Sequence, residues 1–287
     1  MEQLVMYMLT GISYGIVLFI LASGLSIILG LMRILNLVHG ALYMIGAYIA
    51  GIFYLEYGLN YWLVLLIAGM FTGIIGLGLE RGFLSHLRDL LNEQVLVTVG
   101  FVYIIMNTGY WIWGYMTFPP VIPSFATGSL NIGDMVFPFS RLWIIGIGII
   151  VAAGFWWIQN KTRAGAIVRA GVDDIQMTKA LGVNVERVFV ITFFVCTFMA
   201  GFAGVLGSQL VGAYIGLAWE FLMPAVIIVV VGGLGSIEGA LLGSVIIGLA
   251  DAFGRAVLQE LGLFIFYAVM VLILLIRPSG ILGRKIV

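Results

Sequence analysis

The sequence predicts an all-α, polytopic membrane protein with about eight or nine transmembrane helices, some of them discontinuous. Three observations carry that expectation. The chain is 63% hydrophobic and only 9% charged, with a mean hydropathy of +1.20. A soluble chain of 287 residues cannot bury so much apolar surface, so most of it faces lipid or other spanning helices. The apolar residues fall in runs near spanning length, separated by short polar or glycine-rich intervals. Finally, the longest polar interval, 161–187, holds five of the thirteen Lys and Arg, an unequal charge distribution typical of membrane topology.

In chain order, the first hydrophobic segment runs from Leu4 to about Leu31. The N-terminal Met1-Glu2-Gln3 lacks the basic region of a cleavable signal, so this segment reads as a retained first helix. Arg33 to Gly40 interrupts it, and a second segment continues to about Tyr57. Tyr61–Leu79 and Val95–Tyr115 are the third and fourth, with a charged patch from Glu80 to Glu93 between them. Residues 116–138 are expected to be irregular, with four of the six prolines, no Lys or Arg, and one acid, Asp134. Leu142–Ile158 is the fifth segment and Val188–Val211 the sixth. The remaining three are Phe221–Val231, Ala240–Ala252 and Leu261–Ile276. The seventh and eighth are short and glycine-interrupted, which leaves the count at eight or nine.

With nine spans and the 161–187 interval inside, eleven Lys and Arg fall inside and only Arg141 and Arg255 outside. The N-terminus is then outside and the C-terminus inside. Trp and Tyr near the segment ends (Tyr61, Trp62, Tyr110, Trp111, Trp113, Trp143) suit interfacial anchoring. Ala200, Ala203, Gly204 and Gly207 form two small-xxx-small pairs, a surface for close helix packing.

Within 161–187, a short helix has readable ends. Asp173 is the expected N-cap, with Gln176 closing a capping box. Ala180 and Leu181 finish the helix, and Gly182 stops it. About eight residues span on the order of 12 Å. Met177, Ala180 and Leu181 form an apolar stripe between Asp174 and Lys179. A helix this short is unstable alone in water, so it packs into something else. A solvated connecting turn and a docking helix for a soluble partner are the two readings.

Two glycine-rich breaks could carry transport chemistry. The first spans Asn36-Leu37-Val38-His39-Gly40 to Tyr48, and the second runs from Val231-Gly232-Gly233-Leu234-Gly235-Ser236-Ile237-Glu238 to Gly243. Backbone freed from a helix at membrane depth is tolerated where protein or a water-filled cavity covers it, and transporters often hold cargo at such breaks. Asn36, His39, Tyr43, Ser236 and Glu238 are therefore the candidate translocation residues. The plainer readings are an interfacial histidine for His39 and, for Glu238, a carboxylate favoured by a helix N-terminus.

These stretches also carry a resemblance. Asn-x-x-His-Gly-x-x-Tyr-Met-x-Gly-Ala-Tyr at 36–48 resembles the first signature of the branched-chain amino acid type of ABC importer permease, in its H-type subunit. Gly-Gly-Leu-Gly-Ser-x-x-Gly-Ala-x-x-Gly at 232–243 resembles a late signature, and Arg277-Pro278-Ser279-Gly280-Ile281-Leu282-Gly283 the family's tail. Arg169-Ala170 through Asp173-Asp174, Met177, Leu181-Gly182-Val183-Asn184 and Arg187 resemble its cytoplasmic coupling loop. The four motifs occur in the family's order across nearly the whole chain. Gly171 and Glu238 depart from the family's commoner residues, which are polar and proline respectively.

The resemblance implies one transmembrane permease domain over 1–287, with a cytoplasmic coupling loop at 161–187 and an external loop at 116–138. It assigns Asp173, Asp174, Met177, Lys179, Leu181 and Gly182 to contact with an ATPase. It implies a second related permease subunit, two ATPase subunits and an external substrate-binding protein, in a bacterial or archaeal plasma membrane. No Gly-x-x-x-x-Gly-Lys occurs, so ATP and Mg belong to the partner subunits and no cofactor is expected here. The expected role is transport rather than catalysis, with branched-chain amino acids as cargo and urea, short amides or aromatic acids as alternatives within the family. Zero formal net charge argues against nucleic acid. Cys196 is the sole cysteine, and with two histidines (His39 and His86) a metal site is not expected. A self-contained secondary transporter would have to use Glu220, Asp251 or Glu80 for ion coupling. An intramembrane hydrolase would have to pair His39 with Ser23 or Ser236, and the sequence has no Gly-x-Ser-x-Gly elbow.

Overall fold

The computed structural model describes residues 2–88, 90–132, 135–257 and 262–283. Asp134, the one acid of 116–138, Arg284 and Lys285, two of the eleven Lys and Arg counted inside, and Leu261, where the last segment was expected to begin, lie outside the described residues.

Eleven α-helices make up the bulk of the fold. They are α1 (Glu2–Met32), α2 (Val38–Ala50), α3 (Tyr61–Gly82), α4 (Leu91–Trp113), α5 (Phe139–Lys161), α6 (Arg163–Asp173), α7 (Ile175–Ala180), α8 (Val185–Val211), α9 (Leu217–Gly232), α10 (Ile237–Val257) and α11 (Gly262–Ile276). A π-helical turn, Gly51–Glu56, extends α2. Among the described residues, seven helices are long and apolar enough to cross a membrane, and 217–232 and 264–276 are shorter apolar helices. Side-chain caps explain several starts. Asn60 Oδ1 accepts from Trp62 N at α3, Thr162 Oγ1 from Gly165 N at α6, and Asn184 Oδ1 from Arg187 N at α8.

Contacts define two ends of the bundle. At one, Gly30 abuts Gly235, Gly171 abuts Leu31, and Arg88 lies over the Phe189 ring. At the other, Arg141 Nη1 donates to Thr10 Oγ1, and Phe125 packs on Trp62 and Trp143. The nine apolar helices alternate in direction between these ends. α9 and α10 each run from one end to the other, so neither forms a re-entrant hairpin confined to one side.

The element that organises the bundle is α2. All thirteen of its residues are buried, walled by α1, α3, α8 and α9. Glycines set its spacing from α8: a Cβ on Gly204 would sit 2.0 Å from the Tyr43 carbonyl oxygen, and one on Gly46 2.1 Å from the Gly201 carbonyl oxygen. The small-residue face of 200–207 thus packs on α2 within the same chain. α4 and α5 are peripheral, with few of their residues buried.

Residues 116–138 are more ordered than expected. Phe118 and Ala213 exchange backbone hydrogen bonds, and Val121 N donates to Ser208 O. Two strands, β1 (Ser129–Ile132) and β2 (Met135–Pro138), then pair antiparallel, with Ser129 opposite Pro138 and Ile132 opposite Met135. Residues 133–134 lie outside the described residues. Prolines end this pairing without preventing it, because Pro138 sits at the strand terminus where no further ladder bond is needed. α6 was not foreseen within the polar interval. Its signal is Ala164, Val168 and Val172 at i, i+4 and i+8, which share one side of the helix, while Arg163 and Ala166 are exposed on another.

Candidate functional site

The first break lies inside the bundle. Arg33 takes φ +56°, the only positive φ outside glycine among the described residues, and turns the chain away from α1. Ile34 to Leu37 then fold inward, so that α2 begins beside the middle of α1 and α8. His39 Nε2 faces Gly24 and the Cys196 carbonyl. The Asn36 amide Nδ2 lies 3.1 Å from His39 Nδ1. An amide nitrogen only donates, so Nδ1 accepts and the ring proton sits on Nε2, toward the Cys196 carbonyl. Asn36, His39 and Tyr43 are all 0% exposed. Tyr43 stacks on Phe221 at a ring separation of 4.3 Å and meets Gly207 through its hydroxyl. The Asn36–His39 pair therefore pins the α1–α2 break from within.

The second break joins α9 to α10. Gly233 and Gly235 take φ +104° and +75°, conformations open to glycine at no steric cost. Ser236 Oγ then accepts from Gly239 N at 2.9 Å and starts α10. The tail motif meets this turn. Ile281 N donates to Val231 O at 2.7 Å and Leu282 N to Gly232 O at 3.1 Å, so the tail satisfies carbonyls at the end of α9 that have no partner within the helix. Two motifs nearly fifty residues apart are thus one structural unit. Ser236 and Glu238 lie on this turn, apart from Asn36, His39 and Tyr43. The five candidates fall into two separate groups rather than one site.

The turn also forms one rim of a cavity of about 520 Å³, bounded by the end of α5, the inner face of α6 and the first half of α8. Above it sit α6 and α7. Asp173 closes α6, and the N-cap of α7 is Asp174, whose Oδ1 accepts from Gln176 N at 2.8 Å and Met177 N at 3.0 Å. The expected cap at Asp173 is therefore corrected by one residue. Asp174 has extended backbone (φ −154°), as a cap requires, whereas Asp173 is still helical. α7 is correspondingly six residues long rather than eight. Leu181 is its C-cap, and Gly182 follows at φ +83°, as its expected role as the stop requires. Ile175 and the buried Thr178 turn inward, whereas Met177 and Leu181 are 59% and 75% exposed, and Lys179 is exposed beside them. The apolar stripe thus faces away from its own chain.

The other arrangements weighed from sequence are not assembled. Ser23 Oγ donates to Ile20 O, and His39 is engaged with Asn36, so no Ser–His pair forms at either predicted serine. Glu80 pairs with Arg88 at 2.9 Å, Asp251 with Arg255 at 2.9 Å, and Glu220 accepts from the Tyr214 hydroxyl. Sequence reasoning missed the Glu80–Arg88 pair. Glu80 lies in α3 and Arg88 beyond its end, and a 3₁₀ turn at Leu84–Leu87 brings them together.

A bundle of alternating apolar helices, with one break in its interior, a second at its end and an exposed apolar stripe, defines a multi-pass membrane transport protein. The chain belongs to the family described as the permease component of the branched-chain amino acid transport system, whose profile matches residues 7–274. It is 28% identical to the high-affinity branched-chain amino acid transport system permease protein BraD of Pseudomonas aeruginosa, over 99% of this chain and 96% of that protein. To LivH of Escherichia coli K12, a permease protein of the same description, it is 29% identical, over 96% of this chain and 94% of LivH. To LivM of the same strain it is 27% identical, but spans only 67% of LivM. Among solved structures, PsaBC from Streptococcus pneumoniae in complex with Fab shares the fold, with a TM-score of 0.51 at 14% identity. That match covers 94% of this chain and 91% of the other.

Proposed function

We propose that this chain is the H-type permease subunit of an ATP-driven importer of branched-chain amino acids. On this reading it works with a second, related permease subunit, two ATPase subunits and an external binding protein. Its N-terminus is outside and its C-terminus cytoplasmic. The observation that carries the reading is similarity to BraD and LivH along nearly their whole length, where LivM is matched over two thirds. The exposed Met177–Leu181 stripe supports ATPase docking at 173–182, because an apolar surface held outward on a capped helix suits a partner's groove.

The cargo is a small zwitterion with an aliphatic side chain. Apart from the two breaks, the interior offers few fixed charges, and an ion of large net charge would need compensation in a low-dielectric path. A zwitterion needs only dipolar groups near its two ends. Ser236 and Glu238 are placed to offer these at the cytoplasmic turn. Asn36, His39 and Tyr43, enclosed in this conformation, act on the path by holding the start of α2.

Reconstitution of the complex in vesicles tests the cargo. ATP-dependent uptake of labelled leucine should be blocked by excess isoleucine or valine and unaffected by urea. Transport of urea without leucine would overturn the cargo while leaving the permease reading in place.

A further inference from the structure

The cavity under α6 has a construction that neither the breaks nor the docking helix explains. Its back and sides are aliphatic and aromatic: Ile27 of α1, Phe155 of α5, Val168 and Val172 of α6, Ile191 and Val195 of α8. Ile158, Ile191 and Val195, on its α5 and α8 walls, are themselves well exposed on the outside of the bundle at membrane depth. Roofing it is α6, which contributes Ala164, Val168, Arg169 and Val172 to the lining and carries the exposed Arg163, Ala166, Ala170 and Asp173 on its other side. The lining also has polar residues, Gln159, Asn160, Thr192, Ser236 and Glu238, and one cation. Arg169 projects from α6 into the cavity wall, and its Nη1 is buried without a hydrogen-bond partner among the described residues. A guanidinium N–H withdrawn from water and unpaired is costly, so the wall calls for an acceptor oxygen at that point.

We infer that this cavity is a binding site for a membrane phospholipid of the leaflet at the α6–α7 end. The headgroup phosphate accepts from Arg169 Nη1, and one acyl chain fills the apolar space between α5 and α8. Each half of the lining selects against other occupants. A free inorganic anion would satisfy Arg169 but leave the aliphatic walls unfilled. A plain hydrocarbon would fill the walls and leave the guanidinium unpaired. Glu238 on the same rim disfavours a headgroup with surplus negative charge and suits one whose phosphate is offset by an amine. A lipid held here would wedge between α6 and α8. Because Gly171 of α6 sits tightly against Leu31 of α1, with only 2.7 Å between Leu31 Cδ1 and the Cβ position, the lipid would complete the support of α6 on its open side.

The test is native mass spectrometry of the assembled transporter, purified in mild detergent from its own membrane. The wild-type complex is expected to retain one phospholipid per copy of this chain that survives conditions stripping surface lipid. Arg169→Gln should lose it by removing the phosphate donor. Thr192→Trp, on the α8 wall, should lose it by filling the acyl space while leaving Arg169 in place, so a folding defect in one variant does not decide the outcome. Retention of the same lipid by both variants, or of none by the wild type, would overturn the site. So would displacement of the lipid by millimolar leucine, which would make the cavity a cargo site instead.

Discussion

If α2 is the element around which the other helices are spaced, the contact most sensitive to a single methyl group is Gly204 on α8. In Gly204→Ala the new Cβ would lie 2.0 Å from the Tyr43 carbonyl oxygen, 2.9 Å from its carbon and 3.0 Å from Ala47 N. All three are backbone atoms of α2, so no side chain can rotate away. Restoring an ordinary 3.4 Å contact means parting the two backbones by about 1.4 Å in a region packed to crystal-like density. Overpacking of this kind costs about 1–3 kcal/mol, and a backbone-on-backbone clash belongs at the upper end. Alanine returns up to about 1 kcal/mol through its better helix propensity, leaving a net loss of about 2 kcal/mol. At about 2–4 °C per kcal/mol for a chain of this size, the melting temperature should fall by about 4–8 °C. The sole cysteine, Cys196, is buried, so a fluorogenic thiol dye reports unfolding of the purified chain at one site. Gly100→Ala on α4 is the matched control. It meets nothing within 4 Å and should melt at or slightly above the wild-type temperature. Equal melting temperatures for the two variants would refute the close α2–α8 packing.

The other predictions concern the ion pair, the docking stripe and the topology. Glu80 is 1% exposed and its partner Arg88 25%, so Glu80→Ala should cost about 1–3 kcal/mol, less than for a fully buried pair because water reaches the arginine. The double change Glu80→Ala with Arg88→Ala should recover part of that loss in the same melting assay. Met177→Asp with Leu181→Asp should leave melting and membrane insertion unchanged yet abolish ATP-driven uptake, and surviving uptake would remove the docking proposal. Ser129→Cys in a Cys196→Ala background places a thiol at an exposed position of β1. An impermeant thiol reagent should label it from outside, and labelling from the cytoplasmic side alone would invert the orientation.

What could be read from the sequence followed from constraints local to the chain. Each hydrophobic segment became a helix because a run of apolar residues at membrane depth has no other way to satisfy its backbone. The close-packing face at 200–207 was visible because small residues four apart must share a side of a helix, although its partner, α2, was not. The end of α7 was legible at Gly182, and its start was missed by one residue because Asp173 and Asp174 are equally good caps. That choice depends on where α6 ends, and α6 is held in place by α1 and the cavity rather than by its own propensity. The depth of the first break had no local signal. Asn36 and His39 look the same in sequence at a headgroup or in an interior, and only the fold of Arg33 to Leu37 puts them beside Cys196. The tail motif was equally mute, since its two backbone hydrogen bonds to the end of α9 use no side chain.

The placement of the acids bears on where energy for transport enters. An ion-coupled carrier needs a carboxylate inside its spans that is available to bind and release the coupling ion. Of the three acids that could serve, Glu80 is tied to Arg88, Asp251 to Arg255 through both carboxylate oxygens, and Glu220 to the Tyr214 hydroxyl. Releasing any of them would first break a charge-assisted contact, which works against rapid exchange with a coupling ion. The outward apolar residues are arranged in the opposite sense. Met177 and Leu181 sit on a short helix whose start is fixed by Asp174 and whose inner side is held by Ile175 and Thr178, so they are presented in a set geometry without being used by their own chain. A six-residue helix keeps that geometry only because α6 and α8 hold its ends. Movement of a partner seated on the stripe would therefore pass directly into α6 and α8. α8 in turn is locked to α2 through Gly201 and Gly204, so a push on α7 has a rigid route to the central helix and its interior break. That route leads from the exposed stripe, rather than from an internal ion site, to the helix that carries the interior break.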